Sequence, residues 1–207
     1  MKSQRKDALR NRGWIIDAAR DLAARGEPLL FNAVAHAADV GVGTVYRHFA
    51  SVEALEETVV ADRFDELGEI LRQTTPTQIG RVLEAYYDLL VGDRLFERVT
   101  FRAEPALETT VRHRSALLAS LSALVDRGKA EGTLRADLEA LDLLALLCGL
   151  AHTARTLGVT ADSARGRRLF ATLMDGLLER GQPSHGELQA VEPSQLSRRR
   201  GRVRDPA

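Results

Sequence analysis

Apolar residues recur along the chain at three- and four-residue spacing and nowhere alternate over a useful length, the pattern of helices that each bury one face. In residues 7–25 the stripe is Leu9, Ile15, Ile16, Ala19, Leu22 and Ala23. Gly26 and Pro28 stop it, because glycine takes the left-handed conformation that ends a helix and proline cannot prolong one. Short helices are predicted over about 31–38 and 42–48, with Asp39, Val40 and Gly41 as the corner between them. Ser51 is placed to cap one long helix whose stripe is Ala54, Leu55, Val59, Phe64, Leu67 and Leu71, ending near Pro76. Further helices are predicted at about 78–91, 94–102, 107–131, 136–157 and 162–180, parted by Gly92, Pro105, Gly132 and Gly158. The expected fold class is all-α.

Composition supports that reading and narrows the function classes. With 207 residues, 44% hydrophobic and 28% charged, the chain is long enough for a substantial core and too apolar to be a disordered scaffold. The formal net charge is zero, which taken whole argues against a polyanionic partner. Resolved along the chain it is +3 over residues 1–50, −7 over 51–193 and +4 over 194–207, so the neutrality is a sum of unlike parts. The single cysteine, Cys148, excludes an internal disulfide and every multi-cysteine zinc pattern, and fits a reducing compartment. The basic N-terminus leads into no apolar signal core, and the longest apolar run, residues 143–151, is far short of the roughly twenty residues that span a bilayer. No membrane partner and a cytoplasmic location are expected. After Gly181 the chain turns proline-bearing and basic, with Arg198, Arg199, Arg200 and Arg202, and reads as a disordered tail.

Two short helices joined by a tight corner have helix-turn-helix geometry, which serves DNA binding in some proteins and plain helical packing in many more. The residues of the second helix are more informative. Val45 and Phe49 stand four apart on one face, while Thr44, Tyr46, Arg47 and His48 offer polar groups elsewhere on the same turn. Gly43 removes a side chain near the helix start, so a duplex backbone can approach and the amides there are free to donate to a phosphate. A solvated helix with a satisfied histidine remains the alternative on these residues alone.

The segments Ile15-Ile16-Asp17-Ala18-Ala19-Arg20-Asp21-Leu22-Ala23-Ala24-Arg25-Gly26, Val34-Ala35, Val40-Gly41-Val42-Gly43-Thr44-Val45-Tyr46-Arg47-His48-Phe49 and Glu53-Ala54-Leu55 resemble the DNA-binding domain of the TetR family (TetR/AcrR type) of bacterial transcriptional regulators. The resemblance covers about residues 10–60. It implies a helix-turn-helix domain over 1–50, a helical effector-binding and dimerisation domain over 51–182 whose connecting helix is 51–75, and the tail at 183–207. It also implies that Gly43, Thr44, Tyr46, Arg47 and His48 meet double-stranded operator DNA, with Arg5 and Lys6 as arm residues. Three positions depart from the family pattern: Leu30 where a Ser or Thr usually caps helix two, Asp39 where the corner usually has Gly, and Val52 where a basic residue usually touches the backbone. A missing cap costs on the order of 1 kcal/mol.

The predicted helix at 136–157 is apolar nearly all round, with Leu138, Leu141, Leu144, Leu147, Cys148 and Ala151 on one side and Leu143, Leu146, Leu150 and Ala154 on the other. Such a helix needs cover on two sides. The resemblance implies a homodimer through this helix and the last one, with Leu144, Leu147, Ala151, Phe170, Leu173 and Leu177 at the interface. It implies as well a pocket for a small-molecule effector, for which Phe64, Leu67, Tyr86, Phe96, Phe101, Arg102, His113, Leu117 and His152 are the candidate wall residues. Cys148 and His152 share a spacing that metals use, but two ligands do not make a site, and neither a metal nor a cofactor is expected. Gly41 and Gly43 lack the third glycine and preceding strand of a dinucleotide loop, and no phosphate-loop lysine or nucleophile elbow is present, so no enzyme is expected. The leading reading is a repressor that binds a palindromic operator as a homodimer and is released by an effector. A dimeric DNA-binding protein with no effector is the first alternative, and a helical enzyme or scaffold that keeps the motif structurally is the second.

Overall fold

The computed structural model describes residues 2–177, with side chains from Arg10 onward. Among these residues every regular element is helical: α1 (Lys2–Ala24), α2 (Phe31–Ala37), α3 (Val42–His48), α4 (Val52–Val59), α5 (Ala61–Gln73), α6 (Ile79–Gly92), α7 (Arg94–Phe101), α8 (Glu108–Ala130), α9 (Ala140–Thr156) and α10 (Ala164–Leu177), with a 3-10 turn at Pro76–Gln78. The expected all-α class is therefore observed. The predicted ending of the last helix at 180 and the basic tail lie outside the described residues.

The first four helices share a small core of Ile15, Ala19, Leu22, Phe31, Val34, Val45, Phe49 and Leu55, all buried. Leu30 precedes α2 with no side-chain cap, yet Phe31 and Val34 are buried. Burying each contributes about 1.5–3 kcal/mol, which outweighs a cap worth about 1 kcal/mol, so packing holds α2. Asp39 takes the left-handed conformation at φ 51°, as the corner requires. At the start of α4 the Ser51 hydroxyl accepts from the Ala54 amide at 3.1 Å, the expected cap.

The long helix expected over 51–75 is two helices. The chain breaks at Val60, whose backbone lies outside the helical range at φ −99° and ψ 2°. Val59 and Val60 are adjacent, β-branched and both buried, an arrangement that one straight stripe does not provide. The bend lets α4 pack on α1 and α7 while α5 turns to run along α8. α6 packs on α9, and α9 on α8 and α10, to complete the larger bundle.

The helix predicted at 136–157 begins later, at Ala140, and its buried stripe is Ala140, Leu143, Leu147, Ala151 and Ala154. This stripe draws on both of the expected sides, because the helix inserts along one line between α6, α8 and α10. Leu141 and Leu146 stay exposed, at 65% and 54%. At the other end of this region Gly166 lies in the first turn of α10, under the loop that enters it, with its amide donating to Ser163 Oγ at 3.1 Å. A methyl group added at Gly166 falls on the Thr160 and Ala161 carbonyl oxygens, which are backbone and cannot swing aside, whereas one added at Gly13 in α1 meets nothing. Gly166→Ala is expected to destabilise the fold by about 1–3 kcal/mol. Gly13→Ala stabilises it by up to about 1 kcal/mol, and urea unfolding followed by circular dichroism compares the two.

Candidate nucleic-acid interface and ligand cavity

α3 presents two faces. Val45 and Phe49 are buried against the small core, and Tyr46 stands 62% exposed. Its ring meets the Phe31 ring edge-on at 4.8 Å, which fixes the direction of the phenol. Arg47 folds back along its own helix, with Nε donating to the Gly43 carbonyl at 3.2 Å and Nη2 to Thr44 Oγ1 at 3.0 Å. His48 and Thr44 are half-buried, and Gly43 is exposed with open space where a Cβ would stand. Gly43 is thus not required by any neighbour in the fold, and what its bare backbone leaves free is room outside the protein. Arg5 and Lys6 fall within α1, which starts earlier than expected, and their side chains lie outside the described residues. Sequence reasoning passed over Arg12, which is exposed and stacks 5.3 Å from the Phe49 ring beside α3. Its signal was slight, one arginine in a basic segment.

The larger bundle encloses a cavity of about 340 Å³ walled mainly by Phe64, Leu67, Leu71, Val82, Leu83, Leu117, Leu118 and Leu121. Its polar groups sit on Tyr86, Thr100, Arg114 and Cys148, and Phe101, Leu141, Leu144 and Ala145 complete the wall. Burial raises the Tyr86 pKa above its usual value. Burial also pushes the Cys148 thiol up to about 11, against a hydrogen bond with Tyr86 that works the other way, so the thiol stays protonated at neutral pH. Of the nine wall residues expected, Phe64, Leu67, Tyr86, Phe101 and Leu117 line the cavity. The other four do not. Phe96 is fully buried behind it, 5.0 Å from the Phe64 ring and 6.0 Å from Tyr86. His113 lies beside Phe64 and 3.6 Å from Asp65 on the outer side. Arg102 and His152 face a separate polar cleft with Arg94, Glu97, Arg98 and Arg155 across Phe101.

The residues expected at a dimer interface are in part occupied within their own chain. Leu147, Ala151 and Leu177 are buried within their own chain, and Leu144 lines the cavity. Phe170 stacks on Tyr87 at 5.4 Å, and Leu173 is half-buried against the core. The exposed apolar groups of α9 are Leu141, Ala145 and Leu146, of which Leu141 and Ala145 also line the cavity. Cys148 faces the cavity and His152 the outside, and among the described residues no group of three or more His, Cys, Asp or Glu is placed to hold a metal ion. Among the same residues no helix is long and apolar enough to cross a membrane.

α4 follows α3 in the chain and packs on α1 and α7. Glu57, on α4, has no exposed side-chain surface and accepts from Arg102 Nη1 at 2.9 Å, the Ala106 amide at 2.7 Å and the Leu107 amide at 2.8 Å. Its neighbour Glu56 pairs with Arg98 at 2.5 Å and with Arg102. Burial alone would raise the Glu57 pKa, but the hydrogen bonds from Ala106, Thr110, Arg102 and Leu107 outweigh it and hold the group below the usual carboxylate value of 4.5. A carboxyl with a depressed folded-state pKa contributes stability above its unfolded value and loses it as the pH falls through the folded one. Glu57→Gln, which puts an amide donor among donors, is expected to cost about 3–5 kcal/mol at pH 7. The gap between variant and wild type should close as the pH falls below about 4.5, which urea titrations across the acid range measure.

With this geometry in view, comparison with known proteins assigns both regions. Residues 15–59 match the model of the bacterial regulatory proteins of the tetR family, and residues 94–179 match that of the transcriptional regulator SbtR-like C-terminal domain. The HTH-type transcriptional regulator SAR0097 of Staphylococcus aureus (strain MRSA252) is 32% identical over 99 residues, 42% of this chain and 52% of that protein, so the chain spans about half the length of this curated relative. Among solved structures, FadR of Bacillus subtilis in complex with stearoyl-CoA is similar with a TM-score of 0.58 at 18% identity, covering 79% of this chain and 97% of that one. SCO0520 of Streptomyces coelicolor gives 0.55 at 24%, covering 82% and 99%, and the reduced form of NemR of E. coli gives 0.58 at 18%, covering 83% and 100%. These structural likenesses establish the fold. The two matched models, one over the α1–α4 region and one over the bundle, place the chain in the tetR family of bacterial regulatory proteins.

Proposed function

We propose that the protein is a ligand-responsive transcriptional repressor that binds a palindromic operator as a homodimer and is released by a small-molecule effector. The observation that carries this reading is α3, whose Val45 and Phe49 are fixed in the core while Tyr46 and Arg47 stand outward beside a side-chain-free Gly43. A rigid helix presented in this way can enter a groove without rearranging the core behind it. Tyr46, His48 and Thr44 would meet phosphates and base edges, and Arg47 would exchange its bonds to Gly43 and Thr44 for bonds to DNA. Pairing two copies through the outward faces of α9 and α10 would set two recognition helices about 34–36 Å apart, one turn of DNA. The effector step is supported by the apolar cavity and by its wall residue Phe101 at the end of α7, the helix that α4 grips. FadR of Bacillus subtilis, similar in fold, was solved with stearoyl-CoA bound, so this architecture accommodates a ligand that carries a long hydrocarbon chain in at least one case.

Selection of bound fragments from a genomic DNA pool, followed by anisotropy titrations at several salt concentrations, tests the reading. A palindromic fragment should be enriched and bound two protomers at a time. Tyr46→Ala should weaken binding about tenfold or more, a loss of 1–3 kcal/mol per contact. Gly43→Ala should weaken it as well while leaving stability unchanged or raised. Enrichment of no fragment at all would overturn the proposal.

A further inference from the structure

Among the described residues Arg114 is the one cationic side chain on the wall of the cavity, and its surroundings are unusual for a half-buried charge. Its Nη1 donates to the Arg102 carbonyl at 2.8 Å and its Nη2 to the Thr100 carbonyl, so it satisfies backbone oxygens at the C-terminal end of α7. Among the described residues no carboxylate stands within ion-pair distance of it, unlike Arg63, Arg102 and Arg155, which each have one. Its charge acts on the Tyr86 hydroxyl across the cavity corner. In the same corner Thr100, nine-tenths buried, turns a hydroxyl oxygen that makes no hydrogen bond of good geometry and acts on the Tyr86 hydroxyl beside it. A partly desolvated guanidinium with only carbonyl partners and a poorly bonded hydroxyl beside it are the two groups that an anionic acceptor would satisfy together. The rest of the wall is hydrocarbon and aromatic, and a cationic ligand would meet Arg114 with like charge.

We infer that the effector is an apolar monoacid, a molecule with a hydrocarbon body and one carboxylate, and that Arg114 selects it by pairing with that carboxylate while Thr100 donates its hydroxyl. The inference rests on the reading of the cavity as the effector site and adds the chemistry of the ligand to it. The volume of about 340 Å³ lies at the small end of ligand cavities, about 300–1,000 Å³, and suits a medium-length chain. Binding would also be felt beyond the cavity. Arg114 holds the carbonyl of Arg102, and Arg102 holds Glu56 and Glu57 of α4, so a carboxylate that draws the guanidinium inward relaxes the joint through which α4 is positioned.

Calorimetric titration of the full chain with sodium octanoate and with 1-octanol separates charge pairing from plain apolar burial. Octanoate is expected to bind at least about tenfold more tightly than octanol, one unit of log affinity for a charge-assisted contact. Arg114→Met should bring the two probes to within about threefold of each other, and Arg114→Lys should keep the preference. Because Arg114→Met also removes a brace from α7, Thr100→Val, which leaves the brace intact, provides a second variant. It should weaken octanoate several-fold and leave octanol unchanged, a discrimination that a purely structural role would not alter. Ala145→Trp, at an exposed place on the wall, should abolish binding of both probes. Equal affinity for the two probes in the wild type, a preference that survives Arg114→Met, or no octanoate binding would each overturn the inference. Octanol binding that Ala145→Trp removes would in the first case leave the cavity standing as a ligand site and the monoacid alone refuted.

Discussion

The buried carboxylate of Glu57 is the interaction on which the arrangement of the two regions depends. An ionised group without exposed surface is tolerable only when donors surround it, and Glu57 has the Arg102 guanidinium and the Ala106 and Leu107 amides. Those donors all belong to the segment after α7, while Leu55 and Val59 of the same α4 are buried in apolar surroundings. One short helix is therefore held by hydrophobic burial on one side and by directed hydrogen bonds on the other. Burial is non-directional and tolerates small slips, whereas a buried carboxylate does not. The position of α4 against the end of α7 is set by the angular demands of one side chain.

α7 is gripped at both ends by such interactions. At its start Asp93 caps the helix through the Leu95 and Phe96 amides, each at 2.9 Å, and also accepts from Arg63 Nε at 3.3 Å. Arg63 continues to Asp62, and Asp62 to Arg20 of α1 at 2.9 Å. At its end are Arg98, Arg102 and the brace from Arg114. The two grips are unequal. Arg20 and Asp62 are each about two-fifths exposed, and pairs of that kind contribute at most about 1 kcal/mol. The Glu57 end is dry, so loss of one partner there costs several times more. A displacement of α7 would therefore yield first at its α1 link and pivot on the Glu57 end, where α4 is held.

Helical periodicity made most of this architecture legible. The boundaries of α2 and α3, the left-handed corner at Asp39 and the Ser51 cap follow from local chemistry, and local chemistry is what a sequence states directly. The break at Val60 was not legible, because no Gly or Pro marks it; it arises from two cores that bury neighbouring valines. The stripe of α9 was misjudged for a related reason. When nearly every position is apolar, periodicity has no contrast, and neighbouring helices decide which residues are buried. Five cavity residues were found from their size and apolar character, but Arg114 was passed over although α8 carried the signal. Arg114, Leu117, Leu118 and Leu121 lie at helical spacing, so a cation sits in line with an apolar stripe. Arg102 was chosen in its place, and its partners on α4 are distant in sequence and could not be read from its neighbours.

The zero net charge takes a different meaning once these partners are placed. Some of the acids of the middle segment are not free negative surface: Glu56, Glu57, Asp62, Asp93 and Glu97 are occupied by Arg63, Arg98, Arg102 and Arg155. Around α3 the situation is reversed, since Arg47 is turned back on neutral oxygens of its own helix and Arg12 lies over an aromatic ring. Among the described residues neither has a carboxylate to release before it meets a phosphate. The exposed bonds that Arg47 must give up are weak ones, so its transfer to DNA is cheap in free energy and its long-range attraction is that of a full charge. With a net excess of only +3 over residues 1–50, however, that attraction is small. Under the proposed reading, a single α3 would hold DNA poorly, and discrimination between sites would come from requiring two copies to fit successive grooves at once. That requirement makes the rigidity of the Glu57 joint a condition of recognition, because α4 packs on α1 and α1 on α2 and α3, so the spacing of the two recognition helices depends on how that small core is held.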